Sequence, residues 1–376
     1  MSAVKSYLLV SFKSLNRTYS LALFVLFALH LPLRAVTLQQ KWVPGQQLAY
    51  DATVSGTLTL LDDDESPQPW AGLPIDFKVR GNGALTLDTL SVDEEGIGTI
   101  VLRSGDSQIR AMGFGQVMEF HIKDGLAKAL MNGKPAGESV LKNRSFLDPN
   151  FALRLGPQGN LESVVTLRNE EKPTGDLPFD FMGALQGWML RAVPTLWPQG
   201  EIKEGDKWTA PLAIPLPPKN KTEEPPAPVS AGQVTFTLRG IEETGGRKAH
   251  RIAVDGTFDV DAAKAKLLNE AAREATKNAP SQTVPPKSAT PKEKKALTSI
   301  TMRNLADAKQ KISGNLWLDT TNGQLVRAEL SAKGRLHAQG TITNRAGRTR
   351  PTETWADWDG SLQLQLRRIS SVSAKK

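Results

Sequence analysis

Apolar residues recur at every second position through most of this chain, which is the pleat of half-buried β-strands. Leu48, Tyr50, Ala52, Val54, Leu58 and Leu60 share one side of the first run, with Asp51, Thr53, Ser55, Thr57 and Thr59 on the other. Ile75, Phe77, Val79, Gly81, Gly83, Leu85 and Leu87 form the second, whose phase then flips to Leu90 and Val92. A flip inside one strand predicts a bulge, and the paired glycines predict curvature or close backbone approach. Asp93-Glu94-Glu95-Gly96 is a turn signal, and Asp124-Gly125 and Asn132-Gly133 are hairpin signals beside the alternating Met118, Phe120 and Ile122. This half reads as a meander.

The β pattern restarts at Trp197-Pro198-Gln199-Gly200-Glu201-Ile202-Lys203-Glu204-Gly205-Asp206-Lys207-Trp208. There the Gly205-Asp206 step predicts a turn into a strand. Val43-Pro44-Gly45-Gln46-Gln47-Leu48-Ala49-Tyr50 is a fainter echo of it, which suggests two β parts with a hinge between them. Further strands follow around Val234–Leu238 and Ile252–Val260. Asp319-Thr320-Thr321-Asn322-Gly323 is a hairpin turn into the longest run. In that run Val326, Ala328, Leu330, Ala332, Gly334, Leu336, Ala338, Gly340 and Ile342 share a dry face opposite Arg327, Glu329, Lys333, Arg335, His337 and Gln339. Leu362, Leu364 and Leu366 close the pattern.

Two stretches change period. Between Leu177 and Val193, Phe181, Met182, Leu185, Trp188, Met189 and Ala192 form a wide apolar helical stripe, opened by Asp176 and Pro178 and stopped by Pro194. Asp261 to Lys277 predicts an exposed, marginal helix whose strongly apolar residues are Leu267 and Leu268. The Pro-, Ser- and Lys-rich stretch at 278–296 predicts a disordered insertion within a β domain.

The ends and the composition narrow the function classes. A basic segment followed by the apolar run Leu21–Leu33 reads as a signal peptide over 1–35, too short to span a membrane. Of the formal charge of +8, Lys5, Lys13, Arg17 and Arg34 in that segment supply four, which leaves +4 on the rest. Without a basic helix or an aromatic-interleaved basic stripe, that excess does not predict nucleic-acid binding. The chain has no cysteine, which excludes disulfides, thiolate metal sites, a cysteine nucleophile and a lipobox.

Candidate chemistry is sparse. His121 and His337 fall on polar strand faces and His250 in phase with apolar residues, none with a local partner at metal-ligand spacing. No nucleophile elbow, phosphate loop or nucleotide fingerprint is present. Asp62-Asp63-Asp64-Glu65 lacks the spaced oxygens and turning glycine of a calcium loop. Trp355 and Trp358 offer either a stacking platform for sugars or edge packing, and packing is favoured.

Ile202–Trp208 with Gly314, Asp319, Gly323 and Leu325 resembles an uncharacterised group of secreted bacterial β-proteins. In that group a Gly-Asp-x-Trp turn is followed by a Gly-x-x-x-x-Asp-x-x-x-Gly-x-Leu hairpin. The architecture is distantly similar to half-barrel lipoprotein carriers of the envelope, which implies an apolar ligand in the concavity.

The expected protein is mainly β: a curved antiparallel sheet, as a half-barrel or a two-part β sandwich, with one packed apolar helix and a second exposed helix. Residues 36–194 form an N-terminal meander half ending in the buried helix, and 195–376 a C-terminal β half. Its expected role is an exported, non-enzymatic, periplasmic or extracellular envelope protein that binds a lipid-like molecule. Phe181, Met182, Leu185, Trp188 and Met189 are the candidate contacts. An envelope interaction module with a filled core and a secreted hydrolase are the alternatives. No cofactor, metal, nucleic acid or membrane span after export is expected.

Overall fold

A computed structural model describes residues 40–62, 73–113, 115–123, 126–135, 151–159, 161–166, 198, 200–214, 216, 227–278, 299–300, 304–343 and 349–371. Its strands are β1 Gln46–Asp62, β2 Ile75–Val92, β3 Gly98–Gly113, β4 Gln116–Lys123, β5 Leu126–Met131, β6 Lys134–Pro135, β7 Phe151–Leu155 and β8 Leu161–Thr166. They continue as β9 Lys207–Ile214, β10 Val229–Thr244, β11 Arg247–Val260, β12 Ser299–Ile300, β13 Asn304–Asp319, β14 Leu325–Thr343 and β15 Thr349–Ser371, with one helix, α1 Ala262–Asn278. The expected helix at 177–193 lies outside the described residues, as do the export segment and the insertion from 279 onward.

All these strands belong to one open antiparallel sheet, ordered β6-β5-β4-β3-β2-β1-β15-β14-β13-β11-β10-β9, with β12 on β14 and the β7–β8 hairpin on β3. The described strands thus form one hydrogen-bonded sheet that does not close into a barrel. The first and last strands lie side by side at its middle, paired from Gln46↔Ser371 to Asp62↔Thr354. The phase flip in β2 is a bulge between Thr89 and Ser91, and a second bulge lies between Gly83 and Leu85. Asn132 and Gly133 take φ of 51° and 75°, as a two-residue I′ hairpin turn demands.

The dry-face residues of β1, β10, β11, β13, β14 and β15 form the main core cluster. Leu48, Tyr50, Phe236, Leu238, Ile252, Leu316, Leu318, Leu330 and Leu364 are all at most 3% exposed there. Burying such a side chain contributes about 1.5–3 kcal/mol, so this cluster dominates the stability of the fold. Trp42, Leu153, Leu155 and Ile202 join it from segments that cross the sheet's end. A short strap ties that end together. Gln40 N donates to Pro157 O at 3.2 Å, Lys41 N to Asn322 O at 3.0 Å and Gly45 N to Thr89 O at 2.8 Å. The β7–β8 turn and the β13–β14 turn, far apart in strand order, are thus joined to one short strap.

α1 is exposed, as its composition predicts, with Leu267 51% accessible. Asp261 caps it, accepting from Lys264 N at 2.9 Å. Asn269 anchors it by exchanging two hydrogen bonds with the Leu305 backbone, and Ala265 packs against Val260 and Ala308. One residue of the long dry run departs from its expected side. A register shift between Trp317 and Leu318 turns Val326 away, and it packs with Trp317 and Ala249 instead.

Candidate functional site

Pairing aligns one rung of the dry face across eleven strands: Trp208, Phe236, Val254, Gly314, Leu330, Leu362, Val54, Gly81, Ile109, Phe120 and Ala129. Directly paired residues share a face, so this is one uninterrupted apolar or glycine line. Its burial is uneven. From Phe236 to Leu362 the large side chains are at most 4% exposed, whereas Val54 and Phe120 are half-buried and Ile109 is 38% exposed. Along this rung the line is closely packed from β10 to β15 and less covered at Val54, Ile109 and Phe120 on β1, β3 and β4. The candidate contacts Phe181, Met182, Leu185, Trp188 and Met189 lie outside the described residues.

The aromatic pair near the end does not form a shared platform. Trp358 pairs with Leu58 and Gly334 on the dry side, and its indole lies over Gly334, where a Cβ would stand 2.5 Å from the ring. Trp355, three residues earlier, points the other way and stacks on His337 at 5.0 Å between centroids. Both indoles pack, each on its own face.

His121 and His337 lie on the wet face and His250 among apolar residues, as their phases require. His250 is 8% exposed, its Nδ1 has no hydrogen-bond partner, and burial lowers its pKa from the ordinary 6.5. His337 has Asp307 Oδ2 at 3.2 Å from Nδ1 and Glu353 Oε2 at 3.5 Å from Nε2. Sequence reasoning missed these partners because strand pairing, not local spacing, brings them together. Among the described residues no group of three or more ligating side chains is arranged to hold a metal.

The wet face also carries a cation-flanked aromatic. Trp317 is 6% exposed beneath Arg251 and Arg327, whose guanidinium carbons lie 5.8 and 4.9 Å from its ring centroid. Glu242 accepts from Trp317 Nε1 and from Arg251 at 2.9 Å each, and these bonds hold its carboxyl below the usual range. Arg327 pairs with Glu329. Every charge here is compensated, which marks a structural stack.

A cavity of about 570 Å³ opens at the β2–β5 end. Its lining includes Asn82, Gln108, His121 and Lys128, directly paired neighbours on four successive strands. Lys123, Asp106 and Leu130 add to it. It sits at the second β2–β3 bulge, where Gly105 and Asp106 face Ala84 alone.

The motifs behind the sequence resemblance are structural turns. Gly205 takes φ 92°, its N donates to Leu238 O at 2.8 Å, and Asp206 Oδ2 accepts from Lys203 N at 2.6 Å. Trp208 then stacks on Phe236 at 5.6 Å. The earlier echo is built alike. Gly45 takes φ 73° and donates to Thr89 O, and the residue three before each glycine, Trp42 or Ile202, is buried in the same core.

No family model matches this chain, and no curated protein matches it. Among solved structures, one of lipid–protein interactions in lipovitellin is similar at TM-score 0.38 and 9% identity, covering 89% of this chain. The chain spans about a quarter (26%) of the length of that lipovitellin chain. Pseudomonas aeruginosa OpdQ and OpdL are similar at TM-scores of 0.13 and 0.12, both at 9% identity, covering 87% of this chain and 99% of theirs. These are weak architectural likenesses, and none bears on what the chain does.

Proposed function

We propose that this chain is an exported, non-enzymatic protein of the bacterial cell envelope that holds an apolar, lipid-like molecule against the dry face of its sheet. The carrying observation is the eleven-strand apolar rung, tightly packed from Phe236 to Leu362 but half-covered at Val54, Ile109 and Phe120. A contiguous apolar surface left partly uncovered stabilises whatever apolar partner covers it, by about 25 cal/mol for each Å² removed from water. The dry line carries no titratable group, as binding without chemistry requires.

The test is native mass spectrometry of protein recovered from the exported fraction, before and after organic extraction, with a fluorescent fatty acid titrated into the extracted sample. A bound mass lost on extraction, and probe binding weakened by Ile109→Ser, support this reading. A clean apo mass with no probe response rejects it.

A second reading, an envelope interaction module with a filled core, is favoured by one observation. The lining of the cavity at β2–β5 includes the polar rung Asn82, Gln108, His121 and Lys128 and no residue of the apolar line. Crosslinking in the envelope to a specific protein, with no lipid recovered, would select it.

A further inference from the structure

The wet cavity carries an arrangement that the packing of the sheet does not explain. Lys128 stands directly opposite His121, and Lys123 lies on the same face two residues beyond it. Neither lysine has an ion pair among the described residues. The nearby Glu119 is engaged by Arg110 and His121, each at 3.5 Å. Elsewhere on this face cations sit beside acids in register, as in Arg335–Asp357, Lys333–Asp359 and Arg110–Glu119. Bringing cations together without counter-charge costs stability, and an anion bound between them relieves it.

The neighbours add hydrogen-bonding capacity of a particular kind. Asn82 and Gln108 continue the His121–Lys128 rung onto β2 and β3. Successive strands are about 4.8 Å apart, so the four-residue rung extends about 14 Å. Its two amides each offer both donors and acceptors, which suits hydroxyls, while the lysines suit a compact anion. The β2–β3 bulge bends the sheet beneath these groups, and bulges commonly re-aim side chains at binding sites.

From this geometry we infer a binding site for a hydroxylated phosphate, of the sugar-phosphate or phosphoglycerol type. Lys123 and Lys128 take the phosphate, and Asn82 and Gln108 take the hydroxyls. This chemistry is shared by free sugar phosphates and by phosphatidylglycerol headgroups. The site is separate from the apolar line, so it stands or falls apart from the lipid-like ligand proposed above.

The chain has four histidines, so imidazole resonances report on His121 directly, with His121→Gln supplying the assignment. The expected result is a saturable shift of the His121 signals on titration with glucose 1-phosphate, with His250 and His337 unmoved. Lys123→Gln/Lys128→Gln should weaken that binding at least about tenfold with a melting temperature no lower than wild type's. Asn82→Ala/Gln108→Ala should bring the affinity down to that for inorganic phosphate. Sedimentation with phosphatidylglycerol against phosphatidylcholine vesicles separates the sources. Vesicle binding lost in the lysine variant assigns a lipid headgroup, and its absence beside glucose 1-phosphate binding assigns a soluble ligand. No His121 shift with either ligand, or equal shifts in wild type and the lysine variant, overturns the site. Equal affinity for inorganic phosphate and glucose 1-phosphate overturns the hydroxyl-reading role of Asn82 and Gln108.

Discussion

Trp358 lies over Gly334 on the neighbouring strand, so that a Cβ added at 334 would stand 2.5 Å from the indole. The same relationship recurs between Trp42 and Gly98 and between Phe77 and Gly113. Each glycine leaves a flat recess that an aromatic ring covers, restoring the buried area that a missing side chain gives up. Gly334→Ala should destabilise the protein by about 1–3 kcal/mol through overpacking. Gly334→Ala in a Trp358→Leu background should cost less, because the ring contact is gone, while the Lys309 carbonyl oxygen, also 2.5 Å from the added Cβ, keeps part of the penalty. Urea denaturation of the four proteins in a double-mutant cycle checks it, and additive effects would sink the explanation.

Trp42 should be the most costly residue of the strap to truncate. It is 7% exposed, covers Gly98 and belongs to the main core, although it lies ahead of the first strand. Trp42→Ala should cost about 3–5 kcal/mol. The equivalent truncation Ile202→Ala at the second, similar turn should cost about 2–5 kcal/mol. Thermal melts of the two variants measure both, and a Trp42→Ala protein as stable as wild type would mean that the strap does not close the sheet.

The turn motif should govern stability and leave ligand binding alone. Asp206→Ala removes the acceptor of Lys203 N and should cost about 1 kcal/mol. Gly314→Ala is more severe, because φ there is 155° and a Cβ would overlap the Glu329 carbonyl. A cost of about 2–4 kcal/mol is expected from strain and overlap together. Chemical denaturation gives the energies, and a fatty-acid probe titration on folded Asp206→Ala, which lies outside the apolar line, should give wild-type affinity.

His250 should make stability fall on mild acidification. Burial lowers its folded pKa below the ordinary 6.5, so the unfolded chain takes up the proton first. The contribution is complete above about pH 6.5 and is lost as pH falls from there to the folded value, with a slope of at most about 1.4 kcal/mol per pH unit. His250→Leu should flatten stability across that window. Asp319 acts lower on the scale. Burial is the largest single influence and raises its pKa, but the Thr321 N–H and Arg247 outweigh it and hold the carboxyl below 3.8. Its contribution is therefore intact above the ordinary carboxylate value and is lost as pH falls through the folded one. Urea midpoints from neutral pH to strongly acidic pH, for wild type and His250→Leu, separate the two windows. A variant that follows the wild-type curve between them would falsify the role of His250.

Much of the fold was legible because strand periodicity is local. Leu48–Leu60, Ile75–Leu87 and Ala328–Ile342 announce a dry face by alternation alone, and the β2 bulge by the flip at Leu90. The glycines at 45, 133, 205 and 323 mark turns that do adopt positive φ. The candidate site was less legible. Trp355 and Trp358 look like a pair in the sequence, but a separation of three residues in a strand places them on opposite faces. Asp307 and Glu353 reach His337 only through the β13–β14–β15 register, which nothing near His337 encodes.

The sequence by itself determined the class of this protein, its turns, its exposed helix and which side of each strand is dry. Each of those is set by residues within a few positions of one another. The tertiary structure alone decided that β1 and β15 lie together at the middle of one open sheet, and that Val54, Ile109 and Phe120 extend a line begun by Phe236 and Leu330. It also decided that Asn82, Gln108, His121 and Lys128 form one polar rung. Those relationships depend on strand order and register, and register is chosen by the collective burial of a whole face, which no single stretch of chain specifies.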